Sequence, residues 1–457
     1  MEDRAVADLS LIATHEVGHV LGVDSELFLF FRDPTTGEPL TPRPFQKKYV
    51  TCVNGSRFRR IFPAEYTVQA SFSSQGRPYY DLVTPRIRTV VRNQFDCQTL
   101  RGARLENNPT GASCTGAHFD ERIFYSELMG PIFSGTTDIL SPLTLALLED
   151  SGWYTVYYEG AEVSPFGHGA GCAFVNDDCI IDDKVPDYAT GAFCAYETRA
   201  NSFSGQITIE NNHLLCDPTH RSVAACNLFD SAELAASSRF DFRNGIQYFT
   251  DSPLQSLSAQ TDWCPVASIS AGVDCTDASG PKLPQSYPGE VYGASSRCLN
   301  FEPGSLLDPG SFFEPGSSVP PEQFAIPGCF NIQCDAANRK VIVNDVTCEV
   351  DGQRIATTMQ KAGGFVANMI CPKLAVVCPE LFCQGGCSGR GVCNFATSEC
   401  ECFDSNDTSP ICSDMVGLRQ PFTLPPTPAP QRFSSASSLA PLATSTLLLG
   451  LVAFVMV

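Results

Sequence analysis

The 457-residue chain has few basic residues, few histidines and no long apolar terminus, and these scarcities argue against several classes of protein. It holds 30 Lys+Arg against 50 Asp+Glu, a formal net charge of −20. A field of that sign repels phosphate backbones and anionic headgroups, so sequence-independent nucleic-acid binding is excluded. The apolar end, residues 447–457, is shorter than the roughly 20 residues of a membrane-spanning helix.

Cysteine, by contrast, is abundant, with 22 residues in the chain. An even and large number of cysteines is typical of disulfide-bonded proteins in oxidising compartments. We therefore expect an extracellular or cell-surface protein. The chain nevertheless begins Met1-Glu2-Asp3-Arg4 and shows no basic segment followed by an apolar export signal. We expect that an upstream segment is missing from this sequence.

Six of the cysteines are concentrated within residues 383–412, with the spacing C-x3-C-x5-C-x6-C-x-C-x9-C. So short a segment cannot bury enough apolar surface to fold without cross-links, so three disulfides are expected here. The spacing resembles an EGF-like module. Such a module would be either a spacer that holds the rest of the protein off a membrane or an adhesive unit.

The residues after this segment predict a stalk and an attachment to the membrane. Five prolines between residues 421 and 430 favour an extended stalk. No charged residue follows Arg432; the small residues 434–436 precede a mildly polar spacer and the apolar end. This order is typical of a GPI-attachment signal, which predicts a C-terminal lipid anchor. A transmembrane helix is the alternative.

The strongest chemical signal is His-Glu-Val-Gly-His at residues 15–19. His15 and His19 lie one helical turn apart, so both imidazoles can reach one ion. Glu16, next to the first histidine, is placed to act as general base toward a water on zinc. With six histidines in the chain, the chance of this motif is below about one per cent. The same helix has an apolar stripe through which we expect it to enter a core: Leu9, Ile12, Ala13 and Val20.

A catalytic zinc site needs a third protein ligand and one open position. The compact metzincin motif would place that ligand at Ser25, so it must come from elsewhere. The remaining candidates are His118, His168, His213 and His220. We interpret His168 as a loop residue. We interpret His213 and His220, which lie in a Cys-flanked stretch, as surface or structural histidines.

Residues 15–22, residues 116–131 with Glu-Leu-Met, and residues 164–174 together resemble a leishmanolysin-type metallopeptidase of the metzincin family. In that family a long insertion separates the first two ligands from a distant third. The resemblance implies an α+β zincin fold with one Zn²⁺ per chain. It also implies an enzyme that hydrolyses protein or peptide substrates. Its implied site consists of the zinc ligands His15, His19 and His118, the general base Glu16 and the Met-turn residue Met129.

The family's export signal, pro-segment and upper half-domain have no counterpart before His15, which predicts an N-terminally truncated sequence. Composition and resemblance together predict five segments. The segments are a zincin catalytic region (1–155), a Cys-rich C-terminal domain (156–380), an EGF-like module (381–413), a Pro/Ser-rich stalk (414–435) and the GPI signal or membrane anchor (436–457).

The predicted function is that of a zinc endopeptidase at the cell surface. One alternative is a truncated, inert adhesion glycoprotein that acts through its Cys-rich and EGF-like parts, and another is a structural zinc domain closed by a fourth ligand. Glu16 favours the enzyme, because neither alternative needs a general base beside the first ligand. The sequons at Asn54 and Asn406 are typical of an exported glycoprotein.

Overall fold

The computed structural model describes most of the chain between residues 2 and 414. His213 and residues 415–457, which include the predicted lipid-anchor signal, lie outside the described residues. Within 2–414, the following residues are also outside the description: 74–75, 109–113, 115, 134–137, 201–206, 211–213, 231–245, 251–253, 257, 269–271, 284–288, 307–326 and 362–364.

The described chain combines helices with small sheets, as expected for an α+β protein. Every ladder between its named strands is antiparallel. Eleven disulfides pair all 22 cysteines, which confirms the disulfide-rich character predicted from composition. In the part of the chain that the structure describes, we find no helix with the length and apolarity to cross a membrane.

The first 155 residues contain the longest helix and two small sheets. The helices are α1 (Glu2–Leu21), α2 (Pro85–Phe95), α3 (Glu121–Phe124) and α4 (Pro142–Asp150). The strands are β1 (Lys47–Thr51), β2 (Arg57–Ile61), β3 (Val68–Phe72), β4 (Pro78–Leu82) and β5 (Ala103–Leu105). β1 and β2 form a hairpin, and β3, β4 and β5 form a sheet in that order. Proline opens α2 and α4, where its missing N–H is not needed.

The remainder is richer in strands. Its helices are α5 (Gly171–Asn176) and α6 (Leu374–Val377). Its strands are β6 (Glu197–Ala200), β7 (Ile207–Glu210), β8 (Leu214–Cys216), β9 (Val223–Cys226), β10 (Leu228–Asp230), β11 (Leu254–Ser256), β12 (Ala267–Ser268), β13 (Ser296–Leu306), β14 (Gly328–Asp335), β15 (Lys340–Val343), β16 (Val346–Cys348), β17 (Arg354–Lys361), β18 (Phe365–Ile370), β19 (Gly391–Asn394) and β20 (Glu399–Cys402). The largest sheet has the order β16-β15-β14-β13-β18-β17.

The main apolar core extends across residue 155, the predicted boundary between the zincin catalytic region and the Cys-rich domain. Phe95 of α2 stacks on Phe174 of α5 with ring centroids 5.6 Å apart. Phe174 in turn stacks on Phe193 at 5.6 Å. These rings are buried in one cluster with α4 and β4. The zincin-like part and the start of the Cys-rich part therefore share one core.

The six-cysteine segment forms three disulfides, as predicted. The first cysteine pairs with the third, the second with the fourth, and the fifth with the sixth. The segment packs on α2, where the buried Asn93 amide donates to the carbonyls of Gly386 and Gly391 at 3.1 and 3.0 Å. The Asn93 side-chain oxygen accepts from the Cys393 amide at 3.1 Å. The segment is therefore docked on the main core rather than separate from it.

The expected burial of the α1 apolar stripe is wrong. Leu9, Ile12 and Val20 are 66%, 40% and 81% exposed. The opposite face of α1 is turned inward, with Leu11 and Leu21 against the main core. Contacts of the histidine-bearing face with residues 128–129 determine this rotation, and they are described below.

Candidate metal centre

α1 places the first two histidines on its inward face. His15 Nδ1 donates to the Leu128 carbonyl at 2.6 Å, and His19 Nδ1 donates to the Val23 carbonyl at 2.7 Å. Since a carbonyl only accepts, each Nδ1 carries the hydrogen of the neutral ring, and Nε2 keeps its lone pair. The two Nε2 atoms lie 3.0 Å apart. Two lone pairs at that distance repel each other unless a cation or proton lies between them.

Gly22 makes the His19 contact possible. α1 ends at Leu21, and Gly22 adopts φ +143°, a backbone region that residues with a side chain rarely adopt. The chain then turns back, so that the Val23 amide donates to the Gly18 carbonyl at 3.0 Å and the Val23 carbonyl faces His19. A Cβ at Gly22 would also lie 3.0 Å from the Trp153 ring.

His118 reaches the same place from the edge of β5. Leu105 and Phe119 form an antiparallel bridge, and the Glu106 amide donates to the His118 carbonyl at 3.0 Å. This pairing brings the Glu106 carboxylate to 2.9 Å from His118 Nδ1. The third imidazole thus has the same arrangement as the others, with an oxygen acceptor on Nδ1. A carboxylate in this position orients a metal-binding histidine and increases its basicity.

The three histidines together fit a zinc ion. One ring nitrogen from each lies within 4.8 Å of those of the other two. Zn–N distances of about 2.0–2.1 Å in tetrahedral geometry place ligand nitrogens about 3.3 Å apart. Burial lowers the pKa of His15, and the neighbouring imidazoles lower it further. The lowered pKa favours the neutral form of the His15 imidazole, which is the form that binds metal.

Met129 packs against α1 at Gly18, between the two helical histidines in the sequence. Its side chain is fully buried, and a Cβ at Gly18 would lie 2.5 Å from its sulfur. Gly18 is thus needed for α1 to approach the turn that holds Met129. The same turn supplies the Leu128 carbonyl to His15 and the Met129 carbonyl to the Phe119 amide, at 3.0 Å. This turn links the first ligand candidate to the third.

Glu16 follows His15 on α1 and has an exposed side chain that water can reach. Its predicted role as general base stays a prediction, as do the ligand roles of the three histidines. The structure brings together His15, His19, His118 and Met129 and places Glu16 beside them.

The other described histidines lie outside this cluster. His168 is buried with its ring 4.1 Å from that of Phe382, and neither ring nitrogen has a partner among the described residues. His168 lies in a loop, as predicted, and its side chain is buried. His220 is half-buried and donates from Nδ1 to the Cys298 carbonyl at 2.7 Å, a structural contact. The remaining groups of ligand-type residues in the described chain contain cysteines already paired in disulfides.

Sequence reasoning missed Glu106. It stands 12 residues before His118, and its relevance depends on the strand-like pairing of Leu105 with Phe119. The one local signal is Gly116, where a Cβ would collide with the Glu106 carboxylate. A glycine at this point is meaningful only once the carboxylate has been located.

The chain is similar to known proteins along most of its length. The family model described as leishmanolysin matches residues 8–384. A leishmanolysin-like peptidase of Drosophila pseudoobscura pseudoobscura is 27% identical over 429 residues, which is 88% of this chain and 58% of that protein. Leishmanolysin of Leishmania major is 28% identical over 63% of this chain and 43% of that protein. A leishmanolysin-like peptidase of Caenorhabditis elegans is 26% identical over 81% of this chain and 57% of that protein.

The chain spans less than two thirds of the length of these relatives. The family match nevertheless includes the histidine cluster, the Met129 turn, the shared core and most of the Cys-rich part. Since it extends over far more than half of the residues, the chain belongs to the leishmanolysin family of zinc-dependent metallopeptidases.

Proposed function

We propose that this protein is a zinc-dependent endopeptidase whose metal is bound by His15, His19 and His118. The observation that carries the proposal is the state of the three rings: each Nδ1 faces an oxygen acceptor, and the ring nitrogens converge within 4.8 Å. Three imidazoles with one position left open are the donor set of catalytic rather than structural zinc.

The chain's own residues then divide the work of peptide-bond hydrolysis. When bound, zinc supplies Lewis-acid chemistry that polarises a peptide carbonyl and makes water more acidic. Glu16 takes a proton from the attacking water and returns it to the leaving amine. Glu106 and the carbonyls of Leu128 and Val23 hold the imidazoles in one tautomer. Met129 packs against α1 at Gly18.

Two variants test this division on the full chain. Glu16→Ala is expected to keep one zinc per chain and to lose casein hydrolysis, because the base is removed and the ligands stay. His118→Ala is expected to lose both zinc and hydrolysis. Glu38→Ala, which changes an acidic residue in another loop, is the matched control and keeps both properties. Undiminished turnover in either site variant, or hydrolysis that chelators do not inhibit, would contradict the proposal.

We also propose the surroundings in which this site works. The 22 cysteines support an extracellular or cell-surface location, and residues 433–457 support attachment through a C-terminal lipid. The pairing of the six-cysteine segment supports the EGF-like assignment of residues 381–413. Release of the protein from cells by a phosphatidylinositol-specific phospholipase C tests the lipid anchor. The adhesion alternative is less favoured, because residues 8–384 match a peptidase family.

A further inference from the structure

The β1–β2 hairpin concentrates positive charge in an otherwise acidic chain. Residues 43–60 contain six basic residues and no acidic one, which leaves 24 basic residues against 50 acidic ones elsewhere. Lys48 and Arg60 face each other directly across the hairpin, an arrangement that destabilises a strand pair. Lys48 is paired with Glu65 at 3.4 Å, whereas among the described residues no acidic side chain forms an ion pair with Lys47, Arg59 or Arg60.

These unpaired cations line an apolar cleft of about 400 Å³. The hairpin contributes Lys47, Arg59, Arg60 and Ile61, of which Ile61 is 41% exposed. Glu26 is the acidic residue of the lining. Six further lining residues are apolar, and four of them are aromatic: Phe28, Leu29, Phe30, Phe45, Phe62 and Val68.

Two short stretches of chain lead from the lining of the cleft to residues that contact the histidines of the candidate metal centre. Ser25 lines it two residues after Val23, whose carbonyl holds His19. Leu105 lines it next to Glu106, which holds His118. In addition, the disulfide between Cys52 and Cys114 ties the hairpin to the segment that leads into His118. A molecule bound in the cleft would therefore be held at a defined position relative to the metal.

We propose that this cleft binds an acidic segment of the substrate polypeptide that carries a bulky apolar side chain. The apolar side chain would contact the aromatic lining, and carboxylates on either side would pair with Lys47 and Arg59, which share one face of the hairpin. The cleft offers both positive charge and apolar surface. An acidic segment with an apolar side chain uses both, whereas a sulfated glycan uses mainly the positive charge. The inference rests on the proposed peptidase function and names its substrate class.

Binding can be measured apart from catalysis on the full chain carrying Glu16→Ala. The probes are three short fluorescein-labelled peptides: glutamate-rich with a central phenylalanine, glutamate-rich with alanine in its place, and lysine-rich with the phenylalanine. Fluorescence anisotropy is expected to show saturable binding of the first, at least about tenfold weaker binding of the second, and none of the third. Equal binding of the lysine-rich peptide would overturn the proposal.

Two neighbouring residues provide a matched pair of variants. Lys47→Glu reverses a charge on the cleft and is expected to weaken binding of the acidic peptide about tenfold or more, whereas Lys48→Glu reverses a charge off the cleft and changes it less than about threefold. Ile61→Ala is expected to weaken binding of the phenylalanine peptide without affecting the alanine peptide. Two results would contradict binding in the cleft and indicate binding to a diffuse basic surface. One is an equal loss of peptide affinity in Lys47→Glu and Lys48→Glu. The other is displacement of the peptide only by heparin or by anionic vesicles.

The result is separable from the proposed function. Hydrolysis of a neutral reporter peptide by the wild-type chain tests the peptidase, and Lys48→Glu, which changes a residue off the cleft, should leave its kcat unchanged. Peptide binding without any hydrolysis would overturn the peptidase and keep the cleft. Hydrolysis without preference for the acidic segment would overturn the cleft alone.

Discussion

At the scale of single residues, the contact between Gly18 and Met129 decides how α1 is seated. Met129 is fully buried, and its sulfur occupies the space that a side chain at residue 18 would need. This contact and the hydrogen bond from His15 to Leu128 turn the histidines inward. A single methyl group at Gly18 would therefore displace the helix, the turn or both.

We predict that Gly18→Ala destabilises the protein by about 1–3 kcal/mol and weakens zinc binding, because overpacking moves α1 away from the Met129 turn. Thermal unfolding and zinc content per chain are the measurements. Gly160→Ala is the control, since a Cβ there meets no atom within 4 Å. Gly18→Ala combined with Met129→Ala should lose less stability than the sum of the two single losses, because the shorter side chain makes room for the new methyl group. An unaffected Gly18→Ala would show that α1 does not depend on this contact.

His168 makes stability depend on pH. Burial lowers the pKa of its imidazole to about 3, and the nearby Lys373 ammonium adds to this effect. The ring is neutral in the folded protein, whereas in the unfolded chain it takes up a proton below about pH 6.5. Stability from this residue is therefore present above pH 6.5 and is lost as pH falls toward 3, by up to about 1.4 kcal/mol per pH unit.

We predict that His168→Phe, which keeps an aromatic ring against Phe382, loses less stability on acidification than the wild type. Urea unfolding at pH 7, 6, 5 and 4 measures the slope, which should decrease by nearly one proton between pH 5.5 and 4. Burial also lowers the pKa of His220, but that contribution is present in both proteins and cancels in the comparison. Parallel pH profiles would contradict the prediction.

At the scale of elements, α2 connects the main core with the six-cysteine segment. Asn93 satisfies three backbone groups of that segment. Glu149 of α4 accepts from Arg390 of the same segment and pairs with Arg86 of α2 at 2.9 Å. When one partner of a buried hydrogen bond is removed, the other polar group stays buried without a partner. The cost of removing that group from water is then no longer offset.

We predict that Asn93→Ala lowers the free energy of unfolding by on the order of 3 kcal/mol and exposes residues 383–412 to proteolysis. Thr89→Ala is the control on the same helix, because Thr89 is half-buried and, among the described residues, its side chain bonds only to the Pro85 carbonyl in its own turn. Urea unfolding and limited proteolysis followed by mass spectrometry are the measurements. A segment that stays protected in Asn93→Ala would mean that the disulfides alone hold it in place.

At the scale of the whole molecule, the disulfides join parts that are distant in sequence. Cys52 and Cys114 are separated by 62 residues and connect the basic hairpin with the segment before His118. Cys402 and Cys412 are separated by only 10 residues and lie within the six-cysteine segment. In the loop-closure model, the two cross-links contribute about 4 and about 3 kcal/mol to stability.

We predict that Cys52→Ser/Cys114→Ser lowers both stability and zinc retention, because His118 loses its tether to the hairpin. Cys402→Ser/Cys412→Ser should lower stability by a similar amount and keep one zinc per chain at 25 °C. Chelator competition below the unfolding temperature compares the two variants. Equal zinc retention would show that the hairpin does not position the third histidine.

Local spacing was enough to predict part of the site. The separation of His15 and His19 by one helical turn depends only on helix geometry, and the crowding of six cysteines in 30 residues forces local disulfides. His118 and Met129 were predicted from a resemblance, because 98 residues separate His19 from His118. Which side of α1 faces inward was predicted wrongly, since apolarity alone favours Leu9, Ile12 and Val20 as the buried face.

By itself, the sequence determined the helical His15–Glu16–His19 motif, the disulfide-rich character and the three local bridges of the six-cysteine segment. These depend on short-range spacing and on composition. Only the tertiary structure decided the rotation of α1, the partnership of Glu106 with His118 and the cationic cleft beside them. These depend on contacts between residues far apart in the chain, such as Gly18 with Met129 and Cys52 with Cys114, which packing selects and local periodicity does not encode.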